Sequence, residues 1–261
     1  MKTFKIILPA LLVFLFFFTP LVFSETIHVY TYHAHPPFSN KGNEGFSRDL
    51  VNLMNKKADN TFTFSLEIIP RSRLNLILRK WIDGKCLDHE SRCKKNWMVL
   101  WVNPVWGFGS EPQKKYMWVK MLDDSNAIIS LNEKKVEYEN PKSLEGLKFG
   151  GMRGHRYLGI DELAAQKKLI RIDGNKEKEN ILKLVMKRVD TILLPNSTIQ
   201  YYLKKDDEIS KYKDKIYVAP SKHQVFSRNF MIPLREDLKK FVESSILKSN
   251  EWNALISEYG F

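Results

Sequence analysis

The sequence predicts an α/β fold made of two small lobes. Three observations point to it. Strand-like and helix-like segments alternate along the chain, the alternation restarts after Asn140-Pro141, and the chain ends in two amphipathic helical stripes. At 261 residues, 43% hydrophobic and 28% charged, the composition suits a globular chain and excludes a disordered or collagen-like one.

The elements follow in order. Ile27 to Tyr32 alternates as a strand, and Pro36, Pro37, Ser39, Asn40 and Gly42 make a turn-rich stretch after it. Phe46, Leu50, Leu53 and Met54 fall on one helical face. Phe62–Ile69 reads as a strand closed by Pro70. Leu74, Ile77, Leu78 and Trp81 form a second helical stripe, and the apolar run Trp97–Val102 a buried strand. Tyr116–Met121 and Ala127–Leu131 are separate strand candidates. In the second half, Lys148–Gly150 is a strand entering a glycine-rich turn, with a helix near Tyr157–Lys167 after it. Leu169–Ile172 and Val189–Leu194 are strands flanking a helix marked by Ile181, Leu182, Val185 and Met186. A short helix near Ile199 and a strand at Ile216–Val218 precede the tail stripes, Leu238–Ile246 and Trp252–Tyr259.

Lys2 and Lys5 precede an apolar run from Ile6 to Phe23, and Val22-Phe23-Ser24 ends it with modest side chains. This is the pattern of a signal peptide cut after Ser24 rather than of a retained anchor. No later run is long enough to span a bilayer. Cleavage takes away two lysines and no acid, leaving 237 residues with a formal charge of +10 out of the original +12. The lysines are spread along the chain rather than gathered into a stripe, and no nucleic-acid motif is present. In an exported chain Cys86 and Cys93 are expected to form a disulfide around a short polar loop, worth roughly 2–3 kcal/mol at most.

Five segments in the correct order resemble bacterial solute-binding protein family 3. They are Pro36-Pro37-Phe38 with Glu44-Gly45-Phe46-Ser47-Arg48-Asp49-Leu50, then Ser143-Leu144-Glu145-Gly146-Leu147-Lys148-Phe149-Gly150, then Arg188-Val189-Asp190-Thr191, and last Trp252–Gly260. The resemblance implies the type II periplasmic binding protein fold, with mainly parallel sheets, flanking helices and a hinge. It implies lobe 1 at residues 25–128 plus 225–261 and lobe 2 at 129–224. Family members that bind amino acids use an arginine in a T-x-x-R segment. The matching stretch here, Trp101–Gly109, has none, and the position of their second aspartate falls near Leu194-Pro195-Asn196.

Candidate ligand-binding residues come from loops and helix starts. Arg71 and Arg73 follow Pro70 at a helix N-terminus, where an anion would offset the unfavourable placement of cations. Arg153, His155 and Arg156 lie in the turn Gly150–Arg156, whose free N–H groups suit a carboxylate or phosphate, and His155 would add pH sensitivity. Tyr32, Phe38 and Trp106 are candidate platforms for a solute, with Trp101 the weaker aromatic and Asn103 and Ser130 weaker polar candidates. His33-Ala34-His35 reads as a surface loop, since two ligands without a carboxylate do not make a metal site.

The expected function is that of a periplasmic solute receptor, monomeric, without cofactor, metal or catalytic residues. It would close on a small polar, carboxylate-bearing or anionic solute and deliver it to an inner-membrane ABC-type permease or a sensor. Two other readings stay open. One is a lyase resembling cyclohexadienyl dehydratase, for which Glu44, Asp49 and Asp190 are the nearest acids. The other is an interaction module that keeps the fold without transport.

Overall fold

The computed structural model describes residues 24–40, 44–82, 95–108 and 111–261. The apolar run to Phe23 and the pair Cys86 and Cys93 lie outside them, as do Lys41–Asn43. Eight strands form one curled sheet in the order β2-β1-β3-β8-β4-β7-β5-β6. β1 (Glu25–Thr31), β2 (Phe62–Ile68) and β3 (Trp97–Val102) pair in parallel at one end. β5 (Lys148–Met152), β6 (Ile170–Gly174) and β7 (Thr191–Pro195) pair in parallel at the other. Two long strands, β4 (Met117–Leu131) and β8 (Ile216–Ile232), run antiparallel to each other between the two ends.

β4 and β8 differ from the sequence expectation, and the reason is chemical. Asp123-Asp124-Ser125-Asn126 interrupts the apolar pattern of β4, so it reads as two strands. Pro220-Ser221-Lys222-His223-Gln224 does the same for β8, so it reads as a strand that stops at Val218. Each polar stretch faces the other strand: Asp124 is registered with Phe226 and Asn126 with Gln224, and the ladder shifts beside them. Interstrand hydrogen bonds, not apolar side chains, carry both strands through the middle of the molecule.

Helices cover both faces of each end. On one face of the first end, α1 (Phe46–Lys57), α7 (Glu236–Phe241), a π-helical segment (Val242–Ile246) and α8 (Asn250–Tyr259) enclose Phe46, Leu50, Met54, Trp101, Phe230 and Trp252. On the other, α2 (Arg71–Ile82) and the short α3 (Pro112–Lys115) lie over Leu74, Val99, Val102 and Met231. At the second end α5 (Glu177–Val185) and α6 (Asn196–Lys205) cover one face, while α4 (Ile160–Ala165) and a 3-10 turn at Pro141–Leu144 cover the other. Four apolar clusters result, two at each end, which is the packing of two α/β lobes joined by continuous strands.

Gly45 shows how closely the 37–40 segment packs on α1. Its φ is +114°, and a Cβ there would meet the Pro37 carbonyl oxygen at 3.0 Å. Only glycine combines that torsion with that approach. Phe46 N and Ser47 N then donate to the Pro37 and Phe38 carbonyls, which fixes Phe38 against the core.

Candidate ligand-binding cleft

In parallel α/β lobes, ligands sit beyond the carboxyl ends of the strands. Here those ends lead into residues 32–40, the start of α2, 103–108, the 153–157 turn and the starts of α5 and α6. The two sets meet across the middle of the molecule. Thr198 Oγ1 of α6 lies 3.4 Å from His35 Nδ1, and Asn40 Nδ2 donates to the Tyr201 hydroxyl at 2.9 Å.

The first lobe supplies an aromatic and cationic lip. The Arg71 guanidinium lies 3.9 Å from the Phe108 ring centre and 4.8 Å from that of Tyr32. Its Nε donates to Asn75 Oδ1 at 2.8 Å and one Nη2 to the Trp106 carbonyl at 2.6 Å. Burial raises the Tyr32 hydroxyl pKa, with Arg71 and Arg228 pulling the other way. Next to Tyr32, the His33 ring stacks at 4.4 Å and contacts Phe38 at 5.2 Å.

His33 is only 8% exposed, and its Nε2 has no hydrogen-bond partner among the described residues. Burial holds its pKa well below the usual imidazole range, and Arg228 and His35 push the same way. His35 is lowered by burial first; the Glu177 carboxylate and the Pro36 carbonyl oppose that, while Arg228 and His155 add to it. The pair is therefore not the surface loop its sequence suggests. Rings of Tyr32, Phe38 and Trp106 hold His33 inward, and α6 covers His35.

These histidines give a pH dependence whose sign follows from the lowered values. The unfolded chain takes up protons near pH 6.5 that folded His33 refuses, so stability rises with pH through that region and falls below it. We expect stability to drop as pH falls through about 6.5, with a slope approaching about 1.4 kcal/mol per pH unit below it for each histidine that stays neutral. His33→Gln should flatten that slope in urea melts. An unchanged slope would show that His33 accepts its proton in place.

The floor of the cleft is a group that sequence reasoning missed. Arg228 of β8 and Asp124 of β4 pair at 2.8 Å, each side chain 1% exposed. The guanidinium lies 4.3 Å from the Phe38 ring centre, 5.3 Å from Phe226 and 5.9 Å from Trp106. Asp124 also accepts from Ser197 Oγ at 2.7 Å and Ser197 N at 3.3 Å, so it satisfies the start of α6 in the second lobe. Arg228 Nη1 reaches the Trp101 carbonyl at 3.4 Å. That carbonyl is turned by a one-residue bulge in β3, where Trp101 has φ +66°. A signal was present: Phe226, Arg228 and Phe230 share one strand face, and a charge between two buried or half-buried rings needs a partner.

The remaining sequence candidates divide clearly. Tyr32, Phe38, Arg71 and Trp106 come together, although Phe38 is fully buried rather than a flap. Arg73 is exposed. Asn103 gives both amide ends to structure: Nδ2 donates to the Ser227 carbonyl and hydroxyl, and Oδ1 accepts from Val105 N. Ser130 accepts from Val136 N inside the second lobe, and Trp101 packs in the core of the first. Arg153, His155 and Arg156 all lie exposed on their turn. The turn itself is pinned by Arg171, which pairs with Asp161 and Asp173 and donates to the Met152 and His155 carbonyls. Tyr157 closes it by accepting from Met152 N, and burial pushes its hydroxyl up to about 12. A cavity of about 280 Å³ beside Asp124, Asn196, Ser197, Lys222 and Phe261 opens next to the long strands; Tyr32, His33, Arg71 and Trp106 do not line it.

This geometry defines a class of fold. The chain has the two-lobed fold of the solute-binding proteins of the family 3 type. An ancestral arginine-binding protein bound to arginine superposes with a TM-score of 0.60 at 15% identity, over 92% of this chain and 100% of the other. The GluR0 ligand-binding core from Nostoc punctiforme with L-glutamate gives 0.59 at 15%, over 90% and 99%. The substrate-binding protein of an amino acid ABC transporter gives 0.55 at 18%, over 90% and 99%. No family model and no curated protein matches the sequence. Among the described residues no helix is long and apolar enough to cross a membrane.

Proposed function

We propose that the chain is an extracytoplasmic receptor that closes on a small polar solute bearing a carboxylate or other anionic group. It passes that solute to an ABC-type permease or a sensor. The leader ends at Ser24, and the lobes run from 25 to 128 plus 225 to 261 and from 129 to 224. The observation that carries the reading is the lip of the cleft. Arg71 is fixed by Asn75, Trp106 and two rings, and beside it stands buried His33 with an unpartnered Nε2. Such a fixed guanidinium favours a planar anion, and the aromatic walls exclude water from it. The acids a dehydratase would need are spent elsewhere or exposed. Asp49 accepts from the Tyr259 hydroxyl, Asp190 holds Lys134 and Lys148 N, and Glu44 is exposed.

A thermal-shift screen of residues 25–261 against mono- and dicarboxylates, keto acids and amino acids tests the reading. At least one carboxylate should raise the melting midpoint, and Arg71→Ala should weaken its binding about 10–100-fold. If no anionic solute shifts the midpoint, or if Arg71→Ala binds as well as the parent, the assignment fails.

A further inference from the structure

We infer that the floor of the cleft is a cation-recognition box kept filled by the chain's own Arg228, and that Arg228 is the residue that excludes ammonium and guanidinium groups from it. The box has the parts such a site needs. Three rings, Phe38, Phe226 and Trp106, surround the guanidinium at 4.3, 5.3 and 5.9 Å. Its carboxylate, Asp124, accepts from Arg228 Nη2 and Nε, both at 2.8 Å and both on the single oxygen Oδ2. The Trp101 carbonyl, redirected by the left-handed bulge, faces Nη1 at 3.4 Å as a further acceptor.

The box adjoins the Tyr32–His33 cluster, although Arg228 and Asp124 are themselves each 1% exposed. Phe38 and Trp106 also flank His33, and Asp124 reaches across to the first turn of α6. Filled from inside, it offers a solute no acceptor for a positive group. Any cation that entered would meet Arg228, with Arg71 at the lip. The solute must therefore present its polar end to Arg71 and His33. This consequence for the native solute rests on the receptor reading; the box itself does not.

Removing the Arg228 side chain should turn the box into a vacant guanidinium site. Arg228→Ala leaves Asp124 buried without its partner, so its melting midpoint falls below that of the parent. Methylguanidinium chloride is expected to raise the midpoint of this variant by about 3–6 °C once it exceeds its dissociation constant about tenfold. Tetramethylammonium chloride and sodium chloride at equal concentration should not, and the parent should show no such rise. Arg228→Gln serves as a second variant with a smaller void. Adding Asp124→Asn to Arg228→Ala should abolish the rise, because the carboxylate is what holds the fork. The proposal is overturned if sodium chloride or tetramethylammonium matches methylguanidinium, or if the parent responds as strongly as the variant. It is also overturned if neither variant, refolded with methylguanidinium, recovers a cooperative melt above its untreated level. A carboxylate that binds the parent while these variants stay unrescued would leave the receptor reading standing and remove only this one.

Discussion

Asp124→Asn is expected to destabilise the protein by about 3–5 kcal/mol, the usual cost of stranding one partner of a buried ion pair. Asparagine keeps the shape and keeps one oxygen, which at the Oδ1 position still accepts from Ser125 N and Ser197 N, while its amide takes the place of the Oδ2 that accepted from Ser197 Oγ and Arg228. What it removes is the charge. Arg228 is 1% exposed, and burial already lowers its pKa, with Asp124 the chief opposing influence. Without that carboxylate the guanidinium keeps its rings and the Trp101 carbonyl but has no counter-charge. Urea melts should show a lower midpoint with an unchanged slope, and the thermal midpoint should drop by roughly 10 °C. Pairing the change with Arg228→Leu should recover part of the loss, since two neutral side chains need no mutual compensation. A single variant within about 1 kcal/mol of the parent would show that the pair is solvated.

The pair also ties the two ends of the sheet to each other. Arg228 touches Phe38 and the Trp101 carbonyl of the first lobe, while Asp124 holds Ser197 of the second. A rotation of one lobe against the other must stretch one of these contacts. Two buried charges make such stretching costly, and they replace the apolar packing that the polar middles of β4 and β8 cannot provide.

Much of the fold could be read from the residues because lobe cores follow simple periods. Leu50, Leu53 and Met54 mark α1 by spacing alone, whereas for α5 the spacing finds the helix but misplaces its face: Ile181 is buried, Met186 is exposed, and Leu184, outside the stripe, is in the core. The tail is expected to return to the first lobe, and in the structure Tyr259 of α8 donates to Asp49 of α1. The long strands were hidden because hydrogen-bond ladders leave no mark on side-chain period. The cleft was half legible. Arg71 and Trp106 announce themselves by Pro and Gly neighbours, yet Arg228 and Asp124 sit 104 residues apart and meet only through the β4–β8 register. His33 was read as a surface residue because nothing local says that Tyr32, Phe38 and Trp106 will close around it. Arg153 and Arg156 lie exposed on a turn whose Met152 and His155 carbonyls accept from Arg171, a contact between residues far apart in sequence.

The bulge at Trp101 carries the second large expected effect. Trp101 is fully buried, donates from Nε1 to Ser47 Oγ at 2.8 Å, and packs its ring 4.5 Å from Phe46 and 5.1 Å from Phe38. Trp101→Ala should therefore cost about 3–5 kcal/mol through the void it leaves. The backbone makes a sharper forecast possible. At φ +66° a side chain of any kind pays the left-handed penalty of roughly 1–2 kcal/mol, which glycine does not. In an ordinary strand glycine is the worse choice by about 0.5–1 kcal/mol relative to alanine. At position 101 the order should invert, with Trp101→Gly more stable than Trp101→Ala by about 0.5–1 kcal/mol. Measuring both variants in urea separates the packing loss, common to the two, from the backbone strain that differs between them. Alanine proving the more stable would mean that the strand is regular there. The Trp101 carbonyl would then point along the β3–β8 ladder instead of at Arg228, and the floor of the cleft would lose the acceptor that helps position its guanidinium.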